Sequence, residues 1–137
     1  MRAVVDVNVL ISAALSGEGS PAEVLRRSRD GEFELIVSEL LIAELIRAFA
    51  YPKLRKLIPA TTASAYVGWI REHGTITPDP ADVPPVCSPD PDDDYLIALA
   101  ISSRAFLVTG DQHLLGLGGD LPILTPTDFL RELHDRG

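Results

Sequence analysis

Four acidic side chains, Asp6, Glu44, Asp93 and Asp111, stand where carboxylates can do chemistry. Asp6 closes a short apolar run, Ala3-Val4-Val5, and Asp111 lies just past another, Phe106-Leu107-Val108-Thr109. Asp93 opens a helical pattern that leads into that second run, and Glu44 lies one or two turns into a helix that follows Leu35-Ile36-Val37. Four carboxylates gathered at one sheet edge repel one another strongly, and cations are needed to offset that repulsion. Hard divalent ions such as Mg²⁺ or Mn²⁺ prefer oxygen ligands, and a few carboxylates plus waters suit them.

Each acid also has a purely structural reading. An Asp at a helix start caps orphan N–H groups and complements the helix dipole, which serves for Asp93 taken alone. Asp92 and Asp94 read as cap and solvated face, with Asp94 also a secondary metal ligand, and Asp90 as a turn residue. Glu44 by itself is an exposed helix residue. Asp6 differs, because an apolar strand has little structural use for a terminal carboxylate. His113 follows Asp111 but has no second histidine at ligand spacing, so it reads as an ordinary helix residue.

The elements that must carry these acids alternate along the chain. Residues 3–6 read as a strand buried on both faces, without alternation. Ser20-Pro21-Ala22-Glu23 reads as a helix start, with a Ser N-cap and Glu closing a capping box, and that helix runs to about Asp30 before Gly31. A strand over 35–37 is followed by a helix capped by Ser38, running from Glu39 to about Ala50 and ended by Pro52. A basic turn over 53–58, a helix from about Thr62 to His73 and a strand over 75–77 come next. Residues 78–91 hold six of the eleven prolines and read as a long loop. Then come a helix from Asp92 or Asp93 to Arg104, a strand over 106–109, a short helix after Asp111, a strand over 123–124 and a last helix begun by Thr125-Pro126. Strands alternating with helices imply one α/β domain over 1–137, a three-layer α/β/α sandwich around a parallel sheet. In such sheets ligands bind beyond the carboxyl ends of the strands, where the strand order reverses.

Composition agrees with a compact, soluble domain. The chain has 137 residues, 46% of them hydrophobic and 23% charged, within the range of ordinary globular domains. Cys87 is its only cysteine, which points to a reducing cytosol or to no redox role. Asp6, Asn8 and Ser12 interrupt the apolar start and argue against a signal peptide, and no stretch reaches the ~20 apolar residues of a membrane span. A cytoplasmic location is expected. Net charge is −8, yet six of the acids fall within residues 79–94, which hold no Lys or Arg. Basic residues cluster at Arg26, Arg27 and Arg29 and again at Arg47, Lys53, Arg55 and Lys56, so the charge is polarised rather than uniform.

Taken together, these segments resemble the PIN-domain family. Val4-Val5-Asp6-Val7-Asn8 is similar to the family's opening Asp-x-Asn, and Ser38-Glu39-Leu40-Leu41-Ile42-Ala43-Glu44-Leu45 to its second acidic motif. Asp90-Pro91-Asp92-Asp93-Asp94-Tyr95 through Ala100, followed by Leu107-Val108-Thr109-Gly110-Asp111, resembles the third and fourth. The Asp-Pro-Asp-Asp form and Tyr51-Pro52-Lys53-Leu54 look like the VapC-like ribonucleases, the toxin components of toxin–antitoxin systems. Any one motif is weak; four in order on suitable elements, covering Arg2 to about Leu133, are fairly specific. With Asp93 rather than Asp94 as the third acid, the spacing to Ala100 and Asp111 resembles the family pattern more closely, so the resemblance assigns Asp93.

The resemblance implies a metal-dependent ribonuclease acting on single-stranded RNA. Asp6, Asp93 and Asp111 would be direct or water-mediated ligands of Mg²⁺ or Mn²⁺, with Asp94 secondary and Glu44 orienting water. Asn8 and Thr109 would hydrogen-bond those carboxylates or the phosphate, and Arg26, Arg27, Arg47 and Lys53 are candidates for RNA backbone contacts. A cognate antitoxin protein is the implied partner, and many members of the family pair as homodimers. Other classes fit less well. A haloacid dehalogenase-like phosphatase wants a second Asp where Asn8 stands, and a receiver-like or other metal-binding signalling module wants a phosphoacceptor Asp after strand three and a Lys after strand five. A catalytically silent PIN scaffold kept for binding has no need of all four acids.

Overall fold

A computed structural model describes residues 1–81, 93–117 and 121–136. The elements are β1 (Arg2–Val5), α1 (Val7–Leu15), α2 (Ser20–Arg29), β2 (Glu34–Val37), α3 (Glu39–Phe49), α4 (Pro52–Leu57), α5 (Ala60–His73), β3 (Thr75–Ile76), α6 (Asp94–Ser102), β4 (Phe106–Val108), α7 (Gln112–Leu115), β5 (Ile123–Leu124) and α8 (Pro126–Arg136). The strands form one parallel sheet in the order β3-β2-β1-β4-β5. Side chains alternate faces along a strand, and Ala3, Val4 and Val5 are all buried, so helices cover both faces of β1. This is the expected three-layer α/β/α architecture.

The order of the strands decides where a site can form. From β1 the chain winds outward through β2 to β3, then crosses back to place β4 on the other side of β1. The reversal falls between β1 and β4, whose register pairs Val5 with Val108. The residue that follows β1 is Asp6, and its N–H donates to the Val108 carbonyl at 2.9 Å. Two loops therefore leave the sheet side by side at its carboxyl edge, the position where open α/β sheets bind ligands.

Several local readings need correction. The sequence reading assigns no element between Asp6 and Ser20, but α1 fills Val7–Leu15, with Val7, Val9 and Leu10 buried in the core. Asp6 ends β1 and is the N-cap of that helix, so its carboxylate has the structural use that the strand alone denied it. The capping box at Ser20 does not form. Gly19 is the N-cap of α2, at a φ of 96° that favours glycine, while Ser20 Oγ pairs with Thr127 Oγ1 and Glu23 is taken up by Arg26 and Arg27. Residues 53–58 are not a turn: Pro52 ends α3 and also opens α4, because a proline is well suited to a first helical turn. Ser38 does cap α3, accepting the Leu41 N–H at 3.3 Å. Most of the proline loop, with Cys87, Asp90 and Asp92, lies outside the described residues.

Beneath the site is an apolar core that includes Val4, Leu10, Leu41, Leu45, Ile70, Leu96, Leu107 and Phe129. Tyr66 on α5 adds a polar tie by donating to the Leu10 carbonyl of α1 at 2.7 Å. Among the described residues, no helix is long and apolar enough to cross a membrane.

Candidate active site

Asp6 is the most constrained of the acids. It is only 5% exposed. One carboxylate oxygen accepts the Asn8 N–H at 3.3 Å and the other accepts the Thr109 hydroxyl at 2.7 Å. Thr109 is fully buried at the end of β4, and its Oγ1 also accepts the Asp111 N–H at 3.0 Å. The Asp111 carboxylate in turn accepts the His113 N–H at 2.8 Å as the N-cap of α7. A single threonine thus ties the loop after β1 to the loop after β4. Burial pushes the Asp6 carboxyl above its ordinary value; the hydrogen bonds from Thr109 and Asn8 oppose this, and the Asp111 charge adds to it.

Three of the four acids meet in one cavity of about 350 Å³, lined by Asp6, Glu44, Asp93, Asn8, Arg47, Tyr51 and Tyr95 among others. Asp93 is the N-cap of α6 but makes no side-chain capping bond to that helix. Glu44 projects from α3 and pairs with Arg47 one turn on at 2.9 Å. Asp111 is not in the cavity wall and reaches Asp6 through Thr109 and through its charge. Asp94, in the first turn of α6, is not among the lining residues either.

Tyr95 reports the local field. Burial first, then the charges of Glu44, Asp6, Asp93 and Asp79, raise its phenol above the ordinary value. Asp79 belongs to this anionic group although the sequence treats it only as one charge among many. Its Oδ2 accepts the Leu40 N–H at 3.1 Å, so it joins Ser38 at the start of α3, while its Oδ1 is buried without a hydrogen-bond partner among the described residues.

The chemistry of this donor set fits a hard divalent ion. Carboxylate oxygens dominate it, and the buried Asp6 charge is held at a cost that a cation would relieve. Among the described residues, no three His, Cys, Asp or Glu side chains already form a cage. Mg²⁺ does not require one, since it commonly keeps several waters and takes one or two carboxylates together with phosphate oxygens.

The basic candidates are dispersed. Arg47 lines the cavity. Lys53 is exposed in the first turn of α4, next in the chain but one to cavity residue Tyr51. Arg26 and Arg27 lie on α2, where both pair with Glu23 and Arg27 also with Glu32. Sequence reasoning passed over Tyr51 and Ala48 as cavity residues. A signal was available for Ala48, which follows Glu44 by four residues on the same helix face, but not for Tyr51, which lies past the end of α3.

A family profile described as PIN domain matches residues 2–113. An uncharacterized protein of Methanocaldococcus jannaschii, MJ1680, is 26% identical over 144 residues, spanning 98% of this chain and 92% of its own. Among solved structures, PAE2754 from Pyrobaculum aerophilum superposes with a TM-score of 0.65 at 19% identity, covering 98% of this chain and 90% of that one. VapBC2 from Rickettsia felis, bound to a DNA fragment from their promoter, gives 0.62 at 14% identity over 90% and 97% of the two chains. FitAcB from Neisseria gonorrhoeae gives 0.60 at 17% identity over 91% and 98%. These structural likenesses speak for the fold.

Proposed function

The chain belongs to the PIN-domain family, and from that premise we propose that it is a Mg²⁺- or Mn²⁺-dependent endoribonuclease that hydrolyses single-stranded RNA in the cytoplasm, as the toxin of a toxin–antitoxin pair. The observation that carries the nuclease reading is the convergence of Asp6, Glu44 and Asp93 on one cavity at the strand reversal, with Asp111 joined to Asp6 through Thr109. The toxin reading rests on the likeness to VapBC2 and FitAcB and on the Tyr51-Pro52-Lys53-Leu54 and Asp-Pro-Asp-Asp stretches.

Asp6 and Asp93 would hold the ion, with Asp111 close behind Asp6 and Asp94 in a secondary place. When bound, the ion supplies Lewis acidity and positive charge toward the scissile phosphate. The rest falls to the chain. Thr109 and the Asn8 N–H hold the two oxygens of the Asp6 carboxylate in one orientation, at 2.7 and 3.3 Å. Glu44 accepts a hydrogen bond from the attacking water and aims it at phosphorus, and Arg47 beside it limits the repulsion between Glu44 and the incoming phosphate. Asn8, exposed in the first turn of α1, is placed to donate its amide to a phosphate oxygen.

The test is cleavage of a single-stranded oligoribonucleotide by Asp6→Asn and Asp93→Asn proteins. Asn keeps the shape and removes the charge, so activity should fall at least a hundredfold with the fold intact by circular dichroism. Wild-type rates in both variants, or undiminished cleavage in excess chelator, would refute the metal-nuclease reading.

A further inference from the structure

The two lysines of the chain differ from most of its arginines, Arg47 at the acid cavity included, which pairs with Glu44. Most arginines are spent on the protein's own carboxylates: Arg2 on Glu34, Arg26 and Arg27 on Glu23, Arg29 on Asp30, Arg71 on Glu39, Arg131 on Asp128 and Arg136 on Glu132. The chain has only two lysines, Lys53 and Lys56, and both are on α4. They are exposed, and neither makes an ion pair within the described residues. Three residues apart, they share one face of that helix. Arg55 points elsewhere, donating to the Phe49 carbonyl at 3.4 Å and so holding α4 against the end of α3.

Tyr51 stands where α4 begins at the acid cavity. It is the N-cap of α4, it is 60% exposed, and it lines the acid cavity with Glu44 and Arg47. A large aromatic ring half in water at the rim of a charged site has little packing reason to be there. Aromatic faces of this kind stack nucleic-acid bases, and stacking beside a positive track is how proteins hold single strands without reading their sequence. In a chain of net charge −8, two lysines with no ion pair among the described residues stand on the helix that begins at that ring.

From this juxtaposition we infer that Tyr51 stacks a base of the single strand flanking the scissile phosphate, and that Lys53 and Lys56 carry the adjoining backbone phosphates along α4. This deepens the nuclease reading and rests on it. The occupant is a single-stranded RNA segment rather than a duplex, because a base inside a duplex is stacked on both faces by its neighbours and has none free for the ring.

The experiment measures binding of a mixed-sequence single-stranded RNA by fluorescence anisotropy in chelator, in the Asp6→Asn background, so that no cleavage intervenes. Adding Tyr51→Ala should weaken binding about tenfold, whereas Tyr51→Phe should bind as tightly as its parent, since the ring is kept. An oligomer with abasic sites should bind both Tyr51→Ala and parent equally weakly. Lys53→Gln with Lys56→Gln should lower the slope of log Kd against log salt by roughly 1.4, two phosphate contacts' worth for a single strand. Binding unchanged in Tyr51→Ala, with cleavage by the otherwise wild-type protein intact, overturns the inference and leaves the nuclease reading standing. Variants that weaken RNA binding in a protein that never cleaves RNA would keep this surface and sink the nuclease reading. Variants that release a bound protein partner without altering RNA affinity would identify a protein interface and also overturn it.

Discussion

At the scale of single residues, Asp6 concentrates the tension between structure and chemistry. Its carboxylate caps α1 and is locked by Thr109, yet it is buried and lies in the field of Asp111. A folded-state value raised above 3.8 means that the fold resists ionising this group. Stability from that source is present below the unfolded value and is lost as pH rises through the folded one. Metal-free Asp6→Asn protein should therefore melt above wild type at neutral pH, and the gap should close as pH falls toward about 4, which calorimetry across that range would measure. Saturating Mn²⁺ should raise the wild-type melting temperature by mass action and move the variant much less. A variant that melts below wild type at neutral pH without metal would show that the Asp6 charge is already compensated within the protein.

At the scale of elements, the junction from α5 to β3 has no slack. Gly74 ends α5, and a Cβ there would lie 2.8 Å from the Ile70 carbonyl oxygen and 3.0 Å from a Val37 methyl. The first of these is backbone and cannot move aside without disturbing the helix end. Gly74→Ala should cost about 1–3 kcal/mol in urea unfolding, as overpacking does. Gly68→Ala, within the same helix and with nothing inside 4 Å of the new methyl, should gain up to about 1 kcal/mol from helix propensity. Equal effects of the two substitutions would mean that the close approach at Gly74 is relieved at no cost. The same segment bears on the site, since Asp79 follows β3 and returns to cap α3, the helix that carries Glu44.

At the scale of the whole molecule, a cytosolic RNase needs restraint, and the proposed toxin role requires an inhibitor. A basic side chain inserted among Asp6, Glu44 and Asp93 would take the place of a metal's charge and exclude phosphate, and arginine suits carboxylates best. The apolar side of α3 and the helix α5 are candidate surfaces for the hydrophobic helix of such a partner, and Ile46, Phe49, Ala63 and Val67 line a shared groove there. Where a small reading frame adjoins its gene, co-expression with that frame should yield a complex that purifies intact and has lost nuclease activity. A chain that harms no host when expressed alone and captures no product of its neighbour would remove the toxin role while leaving the nuclease untouched.

Much of this was legible in the sequence because the relevant physics is local. Continuous apolar runs marked four of the five strands, and Thr75-Ile76-Thr77 the remaining one; Ser38 announced the start of α3, and Asp6 and Asp111 were conspicuous as carboxylates following buried strands. The helix α1 was hidden, because its residues are apolar nearly all round and show no amphipathic period to read. What the tertiary structure alone decided was juxtaposition. The return of the chain from β3 across to β4 places Thr109 against Asp6, residues 103 positions apart. The same folding brings Tyr95 into the field of Glu44, Asp6, Asp93 and Asp79 and sets Tyr51 at the rim of the acid cavity. No local pattern encodes those neighbours, since they follow from strand order and register, which the packing of the whole chain selects.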